Sequence, residues 1–121
     1  MAPTETTVMD ALDAYFEGLR HNDASAVPFA DDVVLENPRT RLEGEPLVGR
    51  EAVVDFFETA AGNMPRVEVH DHVVQGATAC SRLEWDTPDD TTVHTVDWFE
   101  FVDDEIDGVG IYFDRGVFMA R

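Results

Sequence analysis

The apolar residues of this chain change period at Pro65, and that switch limits the possible folds more than any other feature. Ahead of it, Val8, Leu12, Tyr15, Phe16 and Leu19 recur at the spacing of one helix face, with Thr7 placed to cap the first turn and Asp10 three residues on. Asn22-Asp23 predicts the start of a short second helix, which Pro28 interrupts by withdrawing an amide donor and crowding the preceding turn. Val33 to Leu35 reads as a short strand stopped by Asn37-Pro38. The stretch from Pro38 to Gly49, with two prolines and two glycines, reads as a loop, and Arg50 to about Ala60 as a third helix ended by Gly62-Asn63. After Pro65 the alternation has period two, predicting strands near residues 66–75, 78–86, 91–102 and 105–113. Gly76, Thr87-Pro88-Asp89-Asp90 and Asp103-Asp104 supply the turns. Helices followed by an antiparallel meander predict an α+β fold, a curved sheet wrapped on its helices. A length of 121 residues with 44% apolar content matches one domain over 1–121 with one core.

Net charge removes several function classes. The 26 acidic residues face 8 basic ones, all arginine, for a formal charge of -18. Such a surface repels nucleic acid and anionic membranes, so neither is an expected partner. The acids are spread along the chain instead of forming a tail, and the lysine-free, aspartate-rich composition points to a halophile's high-salt cytoplasm, where close screening lets like charges coexist. Cys80 is the sole cysteine, which rules out an intrachain disulfide and suits a reducing interior. The N-terminal residues lack the basic and apolar regions of a signal peptide, and no run has the length of a membrane span. A soluble, cytoplasmic protein is expected.

The segment from Pro28 through Asn37-Pro38, followed by Leu47-Val48-Gly49-Arg50-Glu51-Ala52-Val53-Val54-Asp55-Phe56-Phe57, resembles the NTF2-like superfamily. That superfamily includes ketosteroid isomerases, SnoaL-type polyketide cyclases and limonene-epoxide hydrolases. The resemblance implies an NTF2-like cone, with three N-terminal helices packed on a curved antiparallel sheet. It places Asn37 where the isomerases carry their catalytic aspartate. An amide cannot take a proton at neutral pH, so the isomerase route is closed at this position. Asn37 is left either to orient water or substrate, or to form an Asx turn that ends its strand.

Side-chain parity divides the later strands into two faces. Aligned through Asp97 with the isomerase pattern, the inner set is Cys80, Arg82 and Glu84, then Val93, Thr95, Asp97, Phe99 and Phe101, then Val109, Ile111 and Phe113. The outer set contains Leu83, Trp85, Val96, Trp98 and Tyr112, too apolar to remain wet, and predicts a homodimer through the sheet. Asp97 on the inner face is a candidate acid or oxyanion donor, because burial without a cation raises a carboxyl pKa; the alternative is an ion pair with Arg82. Tyr15, in Ala14-Tyr15-Phe16-Glu17, resembles the isomerase oxyanion-hole tyrosine and equally fits a core aromatic. Arg82-Leu83-Glu84 resembles the Arg-x-Asp of the epoxide hydrolases, which makes Glu84 the inward candidate base. That likeness is incomplete, since Leu35 stands for their tyrosine and Ile111 for their last-strand aspartate; Asp114 points to the opposite face.

The candidate catalytic residues are therefore Asp97, Tyr15 and Glu84, with Asn37, Arg82, Cys80, Phe99 and Ile111 as candidate ligand contacts. His70 and His72 share a strand face by simple parity but have no third ligand in the sequence pattern, and no metal or other cofactor is expected. Phosphate loops and nucleophile elbows are absent. The expected function is binding of a small apolar molecule, with SnoaL-like isomerase or cyclase chemistry by proton transfer on a carbonyl compound. A non-catalytic ligand-binding or dimeric scaffold, and an epoxide hydrolase, are the alternatives.

Overall fold

A computed structural model describes residues 3–62 and 66–113. The element order is α1 (Glu5–His21), β1 (Phe29–Glu36), α2 (Pro38–Glu43), β2 (Leu47–Val48), α3 (Arg50–Gly62), β3 (Arg66–Gln75), β4 (Thr78–Asp86), β5 (Thr92–Val102) and β6 (Glu105–Tyr112). The α+β expectation holds, and three helices pack with one sheet. The second helix, however, lies in the stretch read as a loop. Asn37 caps it through a reciprocal pair with Thr40, and Pro38 occupies its first turn, where a missing amide costs nothing. The helix expected at Asn22-Asp23 does not form. Asn22 adopts the left-handed conformation that closes α1, and the Asp23 carboxylate folds back to accept from the Ser25 amide and hydroxyl. At its other end α1 is capped by Thr4, not Thr7, whose amide donates to the Thr4 hydroxyl at 3.1 Å.

The six strands are ordered β2-β1-β6-β5-β4-β3. The sheet is mixed and not wholly antiparallel, because β1 runs parallel to β6. Pairing of Phe29 with Ile106 starts β1 four residues earlier than its apolar core predicts. Arg50, at the head of α3, fixes that start by donating to the carbonyls of Phe29 and Ser25, each at 2.8 Å. The buried stripe of α1 (Val8, Ala11, Leu12, Tyr15, Phe16, Leu19) and Val53 and Phe57 of α3 close over the inner face of the sheet. Gly18 in α1 allows the following turn to cross closely: a Cβ there would lie 2.8 Å from the Asp23 carbonyl oxygen. Among the described residues no helix is long and apolar enough to cross a membrane.

Two strands depart from the expected parity, and both departures matter for the site. In β4, Ser81 lies opposite Asp97, Leu83 opposite Thr95 and Trp85 opposite Val93. Directly opposed residues share a face, so Ser81, Leu83 and Trp85 point inward while Cys80, Arg82 and Glu84 point outward. Leu83 is fully buried, and Arg82 is exposed and paired with Asp71 at 2.7 Å. Burying Arg82 and Glu84 at the expense of Leu83 and Trp85 would desolvate two charges to expose two large apolar groups, so the hydrophobic term sets this register. In β3 a bulge between Val69 and Asp71 keeps His70 outside and turns His72 inward, where its Nδ1 lies 2.7 Å from Ser81 Oγ. The two histidines therefore do not share a face.

Candidate functional site

The helices and the sheet leave a mouth between them, beside α2, the C-terminal half of α3 and residues of β4, β5 and β6. It opens into a cavity of about 350 Å³ lined mainly by apolar groups, including Phe56, Phe57, Trp85, Val93, Ile111 and Phe113. The polar side chains on its wall are Tyr15, Asn37, Arg39, Thr95 and Asp97. The volume lies in the range of small-ligand sites.

Tyr15 and Asp97 meet at the base. The α1 stripe carries Tyr15 under the sheet and the inward parity of β5 carries Asp97, so residues 82 positions apart join through a 2.7 Å hydrogen bond from Tyr15 Oη to Asp97 Oδ2. Both are essentially inaccessible, at 1% and 2% exposure. Phe16, Phe57 and Phe99 surround the phenol edge-on, with ring centroids 4.9, 5.1 and 4.8 Å away, and leave it little freedom. Burial lifts the Asp97 carboxyl to about 7, against which the Tyr15 hydrogen bond pulls it down. Burial, and then the Asp97 charge, push the Tyr15 phenol well above its ordinary value. The pair can therefore hold or release one proton near neutrality at the carboxyl, while the phenol stays a donor.

The remaining expected site residues divide sharply. Ile111 and Asn37 line the cavity. The Asn37 side-chain oxygen accepts from the Thr40 amide at 2.9 Å, so the turn reading of this residue holds, and the same cap sets one edge of the mouth. Phe99 is fully buried behind Tyr15 and supports it instead of meeting a ligand. Arg82, Glu84 and Cys80 are not in the site, because the β4 register places them on the opposite face. Asp97 thus has no ion pair with Arg82, and Glu84 cannot act as a base in this cavity. Instead the Glu84 carboxylate is 3.2 Å from His70 Nε2 and 3.7 Å from His94 Nδ1 on the outer face. Asp114 lies outside the described residues.

Trp85 and Thr95 complete the wall. Trp85 Nε1 donates to Thr95 Oγ1 at 3.2 Å, which satisfies the indole and orients its ring along the cavity. Thr95 and Val93 follow from the parity of Asp97. Trp85 enters the wall through the β4 register, which differs by one residue from the expected parity; the alternation of Leu83 and Trp85 against Arg82 and Glu84 carries that register in polarity alone.

Comparison with known proteins agrees with this architecture. A protein from Kribbella flavida DSM 17836 superposes with a TM-score of 0.82 at 19% identity, over 96% of this chain and 93% of its own. An NTF2-like protein of unknown function from Mesorhizobium loti gives 0.81 at 20% identity, over 94% and 99%. TerC, crystallised with polyporic acid, gives 0.73 at 17% identity, over 94% and 96%. At these identities the likeness establishes the fold and no activity. No curated protein matches the chain. The sequence profile of the SnoaL-like domain matches residues 12–109, four-fifths of the length, and the chain belongs to the SnoaL-like domain family.

Proposed function

We propose that the cavity binds a small apolar carbonyl compound and moves a proton on it, with Asp97 as the single acid/base and Tyr15 as the hydrogen-bond donor to the developing oxyanion. The observation that carries this reading is the buried Tyr15–Asp97 pair at the base of an otherwise apolar cavity. With Glu84 outside and Asn37 an amide, Asp97 is the one carboxyl group on the cavity wall among the described residues. A carboxyl near 7 is matched to proton transfer at neutral pH. In its ionised form Asp97 takes a proton from the carbon next to the carbonyl. The C–H electrons form the enolate double bond, and the carbonyl π pair moves onto oxygen. Protonation weakens Asp97 as an acceptor, so the Tyr15 hydroxyl turns to the enolate oxygen as charge arrives there. The neutral carboxyl then returns its proton to carbon, at the same or a conjugated position, and the enzyme is regenerated.

The test follows exchange of α-hydrogen for deuterium in D2O by NMR, over a panel of cyclic ketones, enones and lactones. Catalysed exchange should rise with pH through about 7 and be lost in Asp97→Asn, while Tyr15→Phe should lower it by about a hundredfold to a thousandfold. Exchange in Asp97→Asn equal to that of the parent would sink the proposal. Binding of panel compounds without exchange would favour the ligand-binding alternative. For assembly, the outward Val96, Trp98 and Tyr112, exposed at 38%, 41% and 51%, support a homodimer through the sheet. Leu83 and Trp85 no longer belong to that surface.

A further inference from the structure

The outer face of the sheet carries a second constellation that the cavity chemistry does not use. Glu68 on β3 lies directly opposite Glu84 on β4, which lies directly opposite His94 on β5. His70 joins this row because the β3 bulge keeps it outside. Ligand atoms of Glu68, His70 and Glu84 all fall within 4.8 Å of one another. The two imidazoles flank one carboxylate, His70 Nε2 at 3.2 Å from Glu84 Oε2 and His94 Nδ1 at 3.7 Å from Glu84 Oε1.

We propose that Glu68, His70, Glu84 and His94 form a binding site for a divalent transition-metal ion of the zinc class. An ion bound tetrahedrally at ~2.0–2.1 Å holds its ligand atoms roughly 3.3 Å apart, and the 3.2 Å between His70 Nε2 and Glu84 Oε2 matches that edge, while His94, beside the other Glu84 oxygen, has to rotate inward to join Glu68, His70 and Glu84. Two carboxylates balance the charge of a divalent ion. Two imidazoles favour zinc, nickel or copper over magnesium and calcium, which prefer all-oxygen shells. Arg66 is the competing cation, 2.6 Å from Glu68 and 3.9 Å from Glu84. Its stronger attachment is to Asp86, through two nitrogens at 2.7 and 2.9 Å, so it remains held when Glu68 is released. The Glu68 and His94 side chains, 54% and 69% exposed, are free to rotate onto an ion. The net charge of -18 raises the local concentration of cations, and the imidazoles supply the selectivity. Because β3 is an edge strand, an ion shared by β3, β4 and β5 ties the edge to the centre of the sheet.

Zinc titrated calorimetrically into tag-free, chelator-treated protein should bind at one equivalent and raise the thermal midpoint, since a ligand specific to the folded state stabilises it. His70→Ala and His94→Ala should each weaken that binding about tenfold or more, Glu84→Gln likewise, and His21→Ala, on exposed α1, should leave it unchanged. Cobalt(II) in place of zinc should give the intense visible bands of a four-coordinate site, lost in His70→Ala. Zinc binding unaffected by His70→Ala and His94→Ala, or displaced by an equal concentration of magnesium, would overturn the site and mark a general attraction to an acidic surface.

Discussion

Replacing Asp97 with asparagine should abolish proton transfer and yet stabilise the protein at alkaline pH. In the folded state the carboxyl holds its proton up to about 7, against an ordinary value of 3.8. The folded state therefore binds this proton more tightly than the unfolded chain. The stability it contributes is complete below about pH 3.8, declines as pH rises through the interval, and is gone above about 7. About three pH units at ~1.4 kcal/mol each give roughly 4 kcal/mol lost between the two limits. Asparagine copies the shape of the neutral carboxyl, and its oxygen can accept from Tyr15, but its amide brings donors into an apolar wall at a cost of ~1–3 kcal/mol. The variant should thus be ~1–3 kcal/mol less stable than the parent near pH 4 and ~1–3 kcal/mol more stable near pH 8. Urea unfolding of both proteins across that range, at fixed ionic strength, measures the difference directly, since every other titrating group is common to the two. Parallel stability profiles, with no crossing, would refute the account of Asp97 as a carboxyl burdened by burial.

The β4 register can be tested by Leu83→Ala, which should cost ~2–5 kcal/mol, beside Arg82→Ala, which should stay within ~0.5 kcal/mol; equal costs would contradict the assignment of faces. Asn37→Ala should lower stability by ~1 kcal/mol in denaturant unfolding, through loss of the α2 cap. Trp98→Glu should turn the proposed dimer into a monomer in light scattering while circular dichroism is unchanged, and a parent that is monomeric at every concentration would remove the dimer. Raising potassium chloride from ~0.1 M to ~1 M shortens the screening length from about 10 Å to 3 Å, and should raise the thermal midpoint by relieving repulsion within a chain of charge -18.

The order of elements was legible in the sequence because burying one face imprints a period on the chain. The α1 stripe, α3 and the four later strands follow from apolar spacing within a residue or two, and the inward placement of Asp97 on β5 follows from the resemblance to the isomerase pattern. The α2 helix, the β4 register and the β3 bulge depend on partners elsewhere in the chain. The α2 helix exists because Asn37 and Thr40 cap one another, and no spacing of apolar residues reveals it. The inward face of β4 was settled by pairing with β5, and the separation of His70 from His72 by a one-residue bulge against β4. Within β4 the polarity of Leu83 and Trp85 against Arg82 and Glu84 already marks the inward face, and pairing with β5 fixes it; the β3 bulge has no such mark in the sequence and belongs to the register between strands.

The sequence by itself thus determined the fold family, the helix that carries Tyr15 and the strand that carries Asp97, since these rest on local periodicity and on a span of chain that the SnoaL-like profile matches. Only the tertiary structure brought Tyr15 onto Asp97, placed Trp85 in the cavity wall and moved Glu84 out to His70 and His94. The physical reason is that a one-residue change of register costs nothing locally but exchanges every side chain between core and solvent, so the choice belongs to the packing of the whole sheet.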